Sequence, residues 1–263
     1  MKFSLKKLAA VAVLAAAATG ANAAINNGST GDGGLYFGAW DGASSFTFDL
    51  GIQINAFETS LGQAGALNLN WGATEGFLPA YSGWLAAANT AQLQWSVLAT
   101  DTVGQNRILT TVGAATLPAL NSNADVLRIG AGNLQTYLNA VNPVLTANSS
   151  LFVVTSDPSA STYAGRWGDK INNKFNFDTT ADFTNSSYAN GVAFQKTLAA
   201  GTGFNKGTNN AYFDEGTAVK AWVDGEGLHI AAIPAVPEPS ETAMLLAGLG
   251  LIGFAARRKA RRA

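Results

Sequence analysis

From Phe46 to Ile54 the chain alternates strictly. Phe46, Phe48, Leu50, Ile52 and Ile54 are apolar, and Thr47, Asp49, Gly51 and Gln53 stand between them. Successive side chains of a strand point to opposite faces, so this run spells a strand with one apolar face. It does not fit a helix, whose apolar positions recur every three or four residues. The same period returns elsewhere. Leu35-Tyr36-Phe37 reads as a partner strand across the Asp41-Gly42 turn, and Leu67, Leu69 and Trp71 alternate with asparagines. Leu93, Trp95 and Val97 alternate with Gln94 and Ser96, and Arg107 to Val112 follows at hairpin distance. Leu151 to Thr155 is a short apolar run between Ser149-Ser150 and Asp157-Pro158. Ala218 to Val223 and Leu228 to Ile233 flank Asp224-Gly225, the signature of a terminal hairpin.

Helical signals are fewer. Asn123 is placed to cap a segment from Ala124 to Val141 that Pro143 would stop, with its second half the better helix, and Leu85 to Ala91 reads as a second short one. No repeat of fixed period is present, which removes solenoids and propellers. Many short strands separated by turn clusters predict a mainly β fold: an antiparallel β-sandwich of jelly-roll-like kind with one or two short helices.

The two ends have different chemistry. Lys2, Lys6 and Lys7 precede an apolar stretch from Leu8 to Ala18, and Ala21-Asn22-Ala23 supplies a small-x-small site. That is the layout of a secretory signal peptide, residues 1–23, cut by signal peptidase between Ala23 and Ala24. At the other end Val236-Pro237-Glu238-Pro239-Ser240 leads into the uncharged run Ala243 to Ala256, and Arg257, Arg258, Lys259, Arg261 and Arg262 close the chain. The prolines fix φ and hold Glu238 outside regular structure, where an enzyme can read it. At ~1.5 Å per residue the apolar run covers roughly 21 Å, short of the ~30 Å hydrocarbon core, and snorkelling arginines and local thinning make up part of the difference. The arginine cluster sets the tail in the cytoplasm and the body outside.

These residues resemble the PEP-CTERM sorting signal. V-P-E-P-S, a glycine-punctuated apolar span and F-A-A-R-R-K occur in the right order, with Glu241-Thr242 standing where an aromatic is common. The resemblance covers residues 236–262. It implies a protein of a Gram-negative bacterium that makes exopolysaccharide. An exosortase of the inner membrane would read Pro237, Glu238 and Pro239 and release or transfer the chain outward. It implies nothing about the body being sorted. The chain therefore divides into the signal peptide, an exported β-rich domain over 24–235, and a sorting segment over 236–263. That segment carries the motif at 237–239, a membrane helix over about 242–256 and a basic tail over 257–262.

Residues 24–235 hold eight basic and fifteen acidic side chains, a net charge of −7, which argues against nucleic acid as a partner and suits an extracellular protein. Cysteine is absent, so disulfides, thiolate metal sites and cysteine nucleophiles are excluded. His229 is the only histidine and no G-x-S-x-G elbow accompanies it, so a serine triad has little to build on. Asp214, Glu215, Asp224 and Glu226 cluster around the last hairpin, and Asp178 and Asp182 share a loop. A glycosidase would need two such acids at ~5–5.5 or ~6.5–9.5 Å. The same oxygens could hold a structural calcium, although no EF-hand loop is present and no other cofactor is implied. Of six tryptophans, Trp71 and Trp95 fall on core-facing positions, while Trp167 lies in a polar loop and Trp40 precedes a turn. Those last two are the candidate platforms for a sugar.

The sequence thus predicts an exported cell-surface or exopolysaccharide-matrix protein, held in the inner membrane in passing. Its role is structural, adhesive or glycan-binding rather than catalytic, with no catalytic residue to name. The alternative is a secreted glycan-acting hydrolase using a carboxylate pair.

Overall fold

The structure is a computed structural model of the chain that describes residues 24–63, 65–113, 132–148, 150–165, 181–199 and 207–233. The signal peptide, the sorting segment from Pro237 and its apolar run and basic tail all lie outside these residues. Among the described residues no helix is long and apolar enough to cross a membrane.

Strands β1 (Gly34–Trp40) and β2 (Ser45–Gln53) form the hairpin that the alternation predicts, in a register that runs from Trp40 opposite Ser45 to Tyr36 opposite Asp49. The turn between them is held by one carboxylate. Asp41 Oδ1 accepts the Ala43 and Ser44 N–H groups at 3.0 and 2.6 Å, and Oδ2 accepts that of Asn89 at 2.8 Å. Burial alone would raise the Asp41 carboxyl, but these backbone donors outweigh it and hold it below its ordinary range.

Helix α1 (Ile54–Ser60) follows β2 directly, so Ile54 ends the alternation as the first residue of a helix. Next come β3 (Asn68–Trp71) and α2 (Phe77–Leu85), the latter eight residues earlier than the Leu85 to Ala91 expectation, where only a short 3₁₀ turn at Thr90–Gln92 is found. Strands β4 (Gln94–Asp101) and β5 (Arg107–Val112) precede helix α3 (Gln135–Asn148). Pro143 lies inside α3 instead of stopping it. The helix survives because Tyr137, Leu138, Val141 and Leu145 are buried on both sides of the proline.

The remaining strands are short: β6 (Phe152–Thr155), β7 (Ala181–Asp182), β8 (Val192–Leu198), β9 (Thr208–Ala211), β10 (Phe213–Asp214), β11 (Thr217–Ala218), β12 (Lys220–Asp224) and β13 (Gly227–Ala231). Among the described residues every pairing is antiparallel, and eleven strands join in one sheet, ordered β3-β13-β12-β8-β5-β4-β1-β2-β6, with β7 added to β4 and β9 to β8. Strands β10 and β11 form a separate two-stranded ribbon.

The expected sandwich of two facing sheets is therefore corrected to a single sheet curled into a half-barrel. The reason is that helices, not a second sheet, cover the apolar faces. On the inner face α2 packs against β2 near one edge and β13 near the other, so one helix serves as the plug around which the sheet bends. Phe37, Phe46, Phe77, Tyr81 and Trp95 form the centre of that core. The outer face carries a second core, where α3 covers Tyr36, Leu98, Ile108 and Val153. The N-terminal strap reaches the same core through Ile25, 2% exposed, whose N–H and C=O both pair with the Asn142 carboxamide at 2.9 Å. Gly28 in that strap has φ +74°, and a Cβ there would stand 1.8 Å from the Thr100 carbonyl oxygen, so no other residue fits.

Candidate functional site

Two clusters of charged and aromatic side chains are built with care among the described residues. The first sits on the terminal hairpin. Pairing of β12 with β13 and β13 with β3 sets Trp222, His229 and Asn70 side by side on the outer face. The indole and imidazole rings stack with centroids 4.7 Å apart and planes 6° from parallel. Asp224 fastens both: Oδ2 accepts the Trp222 Nε1–H at 3.0 Å, and Oδ1 lies 3.0 Å from His229 Nε2. The same oxygen accepts the Glu226 and Gly227 N–H groups and so closes the turn. Burial would raise the Asp224 carboxyl, but the Glu226 amide, His229 and the Trp222 N–H together hold it below its usual value. Tyr188 meets Trp222 edge-on at 5.7 Å, and the Lys220 ammonium lies 5.1 Å from the Tyr188 ring.

An aspartate–histidine pair is two thirds of a hydrolytic triad. Here, however, Asp224 is the only hydrogen-bond partner of the imidazole among the described residues, and no serine hydroxyl reaches it. His229 is 8% and Trp222 5% exposed. The cluster is a closed stack with a polar rim at Asn68, Asn70 and Glu226.

The second cluster lies on the inner face, where α1 crosses β5 and β8. Arg107, 1% exposed, donates from Nε to Asp101 Oδ2 at 3.2 Å, from Nη1 to Glu58 Oε2 and from Nη2 to Asn55 Oδ1. Glu58 Oε1 accepts from Lys196 Nζ and from the Tyr212 hydroxyl, each at 2.7 Å. Burial would raise the Glu58 carboxyl, but hydrogen bonds from Lys196 and Tyr212 and the Arg107 charge hold it below the ordinary carboxylate range. Burial and the neighbouring Glu58 carboxylate push the Tyr212 hydroxyl well up. Two cations and two anions balance, so the cluster locks α1 to the sheet without leaving a bare charge. The sequence reading passed over these residues. The available signals were Asn55 and Glu58 three apart on a helix, and Arg107 on the same strand parity as the core residue Leu109.

The residues singled out in the sequence fall as follows. Trp40 is 5% exposed, so its reading as an exposed platform is corrected. Its place two strand steps beyond Gly38 and four beyond Tyr36 turns it to the outer face, into the core with Tyr163. Its N–H bonds Gln94 Oε1 at 3.1 Å, and a Cβ on Gly165 would stand 2.9 Å from its Cδ1. Trp71, Trp84 and Trp95 are likewise buried, each with its indole N–H bonded: to Leu50 O, Ser44 Oγ and Asp182 O, all at 2.9 Å. Trp167 lies outside the described residues, as do Ala21, Ala23, Asp178, Pro237, Glu238, Pro239 and the basic residues from Arg257 to Arg262. Of the acids near the last hairpin, Asp214 is 1% exposed and holds the 62–67 loop by accepting the Gly62 and Leu67 N–H groups at 2.6 Å. Asp182 is exposed and caps Thr184. No group of three or more His, Cys, Asp or Glu side chains is placed to hold a metal ion among the described residues.

Residues 235–259 match the PEP-CTERM protein-sorting motif. No curated protein and no solved structure matches the chain. The motif is one that an exosortase recognises during export, so the chain carries the address of a protein bound for the cell surface or beyond.

Proposed function

We propose that the half-barrel is the cargo of this address: an exported body that serves at the cell surface or in an exopolysaccharide matrix, in a structural, adhesive or glycan-contacting role without catalysis. The observation that carries the reading is the matched motif at 235–259, in a chain whose first 23 residues have the make-up of a cleaved signal peptide. In this reading Ala243 to Ala256 anchors the chain in the inner membrane until the exosortase acts on Pro237-Glu238-Pro239. The fold supports a non-catalytic body in two ways. Glu58, Asp41 and Asp224 are tied by donors that keep them ionised, whereas a general acid needs a raised carboxyl. Asp49, whose carboxyl burial raises, stands opposite Tyr36 in register rather than opposite a second acid. Glycan contact falls to Trp167 and to the polar rim of the terminal hairpin.

The test of the address is replacement of Pro237, Glu238 and Pro239 by alanine in the full chain. Export is expected to continue, with the protein accumulating in the inner-membrane fraction and disappearing from the surface fraction. Normal arrival at the surface would sink the reading and leave Ala243 to Ala256 a plain anchor.

A further inference from the structure

The sheet has two ends, and they are finished differently. At one end β3 turns Asn68 and Asn70 to solvent and buries Leu69 and Trp71. At the other, β6 leaves Phe152 36% and Val154 47% exposed, two of the six large apolar side chains that face solvent among the described residues. Val153 and Thr155 are 6% and 7% exposed, so β6 is fixed from its outer side and open on its inner one. Phe152 is held in place as well: its ring lies 5.7 Å from that of Phe46, 29° from parallel.

The backbone of β6 is open at the same residues. Antiparallel ladders alternate between residues that bond across and residues that turn their main-chain groups away. The Asp49 N–H donates to the Leu151 carbonyl at 2.9 Å, which puts Leu151, Val153 and Thr155 in the first set and Phe152 and Val154 in the second. Among the described residues no strand pairs with that side of β6. The Phe152 carbonyl accepts the Ser150 hydroxyl at 3.0 Å and keeps its second lone pair. Sheet edges are commonly guarded against pairing by a lysine, a proline or a bulge, and β6 has none of these.

The pattern is complementary to itself. Two β6 strands set antiparallel about a two-fold axis at Val153 bring Phe152 of each opposite Val154 of the other. Both residues turn their main-chain groups to that side, so each such pair exchanges its N–H and C=O bonds. Both side chains share the face of Phe46 and Phe48, so each aromatic ring meets a β-branched neighbour, a favourable cross-strand pair. Joining β6 to β3 of another copy fails on the same test. The Ala232 N–H donates to the Leu67 carbonyl, so the outward-turned residues of β3 are Asn68 and Asn70, whose side chains lie on the outer face. That junction would set amides beside Phe152 and Val154 and turn the second sheet over.

Charge agrees with pairing at β6. The body carries −7, so two copies repel, but from Ile129 to Ser156 the sequence holds no charged side chain. We infer that β6 joins two copies of this chain edge to edge, in one sheet that runs through both half-barrels. A four-residue edge is small beside the roughly 800 Å² per partner of a standard interface, so the pairing is reversible and follows concentration.

The chain has no cysteine, so a single introduced thiol can crosslink only to its counterpart in another copy. In this register the two Val153 residues face each other with Cα atoms about 4.5 Å apart, within reach of a disulfide. The full chain with Val153→Cys, in a mild non-ionic detergent, should give a covalent dimer on oxidation. Val103→Cys, 52% exposed in the β4–β5 turn, should not, and it reports copies that meet only by sharing a micelle. Adding Val154→Lys should cut the Val153→Cys dimer about tenfold, with tryptophan emission unchanged. Because Val153 packs in the outer core, the parent chain supplies a second reading. Its amide exchange over residues 151–155 should slow as the protein is concentrated, and Val154→Lys should abolish that slowing. Equal crosslinking at 153 and 103, crosslinking that survives the lysine, or exchange that ignores concentration would each overturn the pairing. A folded Val153→Cys chain that stays monomeric on oxidation would do the same.

Discussion

On the inner face of the sheet Phe37 meets Phe77 and Tyr81 edge-on at 5.2 and 5.5 Å and lies 5.7 Å from Trp95, with hardly a polar atom between them. One strand layer away, the outer face buries Ser45, Thr47, Asp49, Ser96, Thr110, Gln195 and Thr197, each less than 10% exposed. The inner face follows the rule that apolar side chains fill a core, and its energy comes from area removed from water and from ring geometry. The outer face pays a polar toll and recovers it by hydrogen bonding. Ser45 Oγ accepts the Ala164 N–H at 3.0 Å, Thr47 bonds the Tyr137 hydroxyl, and Thr197 bonds Asn209. The recovery is incomplete: the Gln195 carboxamide and the Thr100 hydroxyl have no hydrogen-bond partner among the described residues. One side of the sheet supplies most of the stability, and the other fixes which helix lies where.

The largest break in that contrast is expected at Phe37. Phe37→Ala opens a cavity among four aromatic neighbours that cannot collapse around it, and should cost about 4 kcal/mol in a urea titration. A loss below about 1 kcal/mol would mean that the inner core repacks and is not the stabilising face. Next is the one charged island on the inner side. Glu58→Ala leaves Arg107, 1% exposed, with Asp101 as its sole carboxylate and strips Lys196 and Tyr212 of their acceptor. The expected cost is about 3 kcal/mol. Joint replacement of Glu58 and Arg107 by leucine should recover part of it, because the bare guanidinium goes with its partner while Asp101, 4% exposed, is left without its cation. If the double variant is no better than the single one, the cluster is not acting as a lock.

How far these features could be read in advance follows the same division. Period two gave away β1, β2, β12 and β13, because one face of each is apolar without interruption and Asp-Gly marks the turns. It could not say what covers that face, since a helix and a second sheet demand the same alternation. The sandwich expectation failed there. Nor does alternation report whether the polar side is wet. Thr47 and Asp49 stand on the polar side of the alternation, yet every residue of β2 up to Leu50 is buried, and α3 brings the Tyr137 hydroxyl to Thr47 across 90 residues. Trp40 was misread for a related reason: proximity to a turn outweighed its strand parity with Tyr36. The terminal-hairpin stack was half legible. His229 and Trp222 are both in plain view, but only the register shows that they face each other with Asp224 between them.

The outer face offers the smallest and sharpest test, because its Asp49 carries an uncompensated price that pH can switch. Asp49 is 8% exposed and opposite Tyr36 in register, and it accepts the Gly51 N–H at 2.9 Å. Burial raises its carboxyl to about 6, and that single backbone donor only partly opposes the rise. A carboxyl raised by folding binds its proton more tightly in the folded chain than in the unfolded one. Its contribution is therefore most favourable below the unfolded value near 4 and is lost as pH climbs to about 6, after which the buried anion is a standing cost. With about 1.4 kcal/mol for each tenfold change in proton affinity, that cost is about 2–3 kcal/mol at neutral pH. Asp49→Asn keeps the shape and removes the charge. Urea titrations should find the variant more stable than the parent by up to that amount at pH 7, and little different at pH 4. A variant that is no better at pH 7, or better by the same margin at both, would show that Asp49 is not buried as an anion. The outer face would then be wetter than its packing under α3 implies.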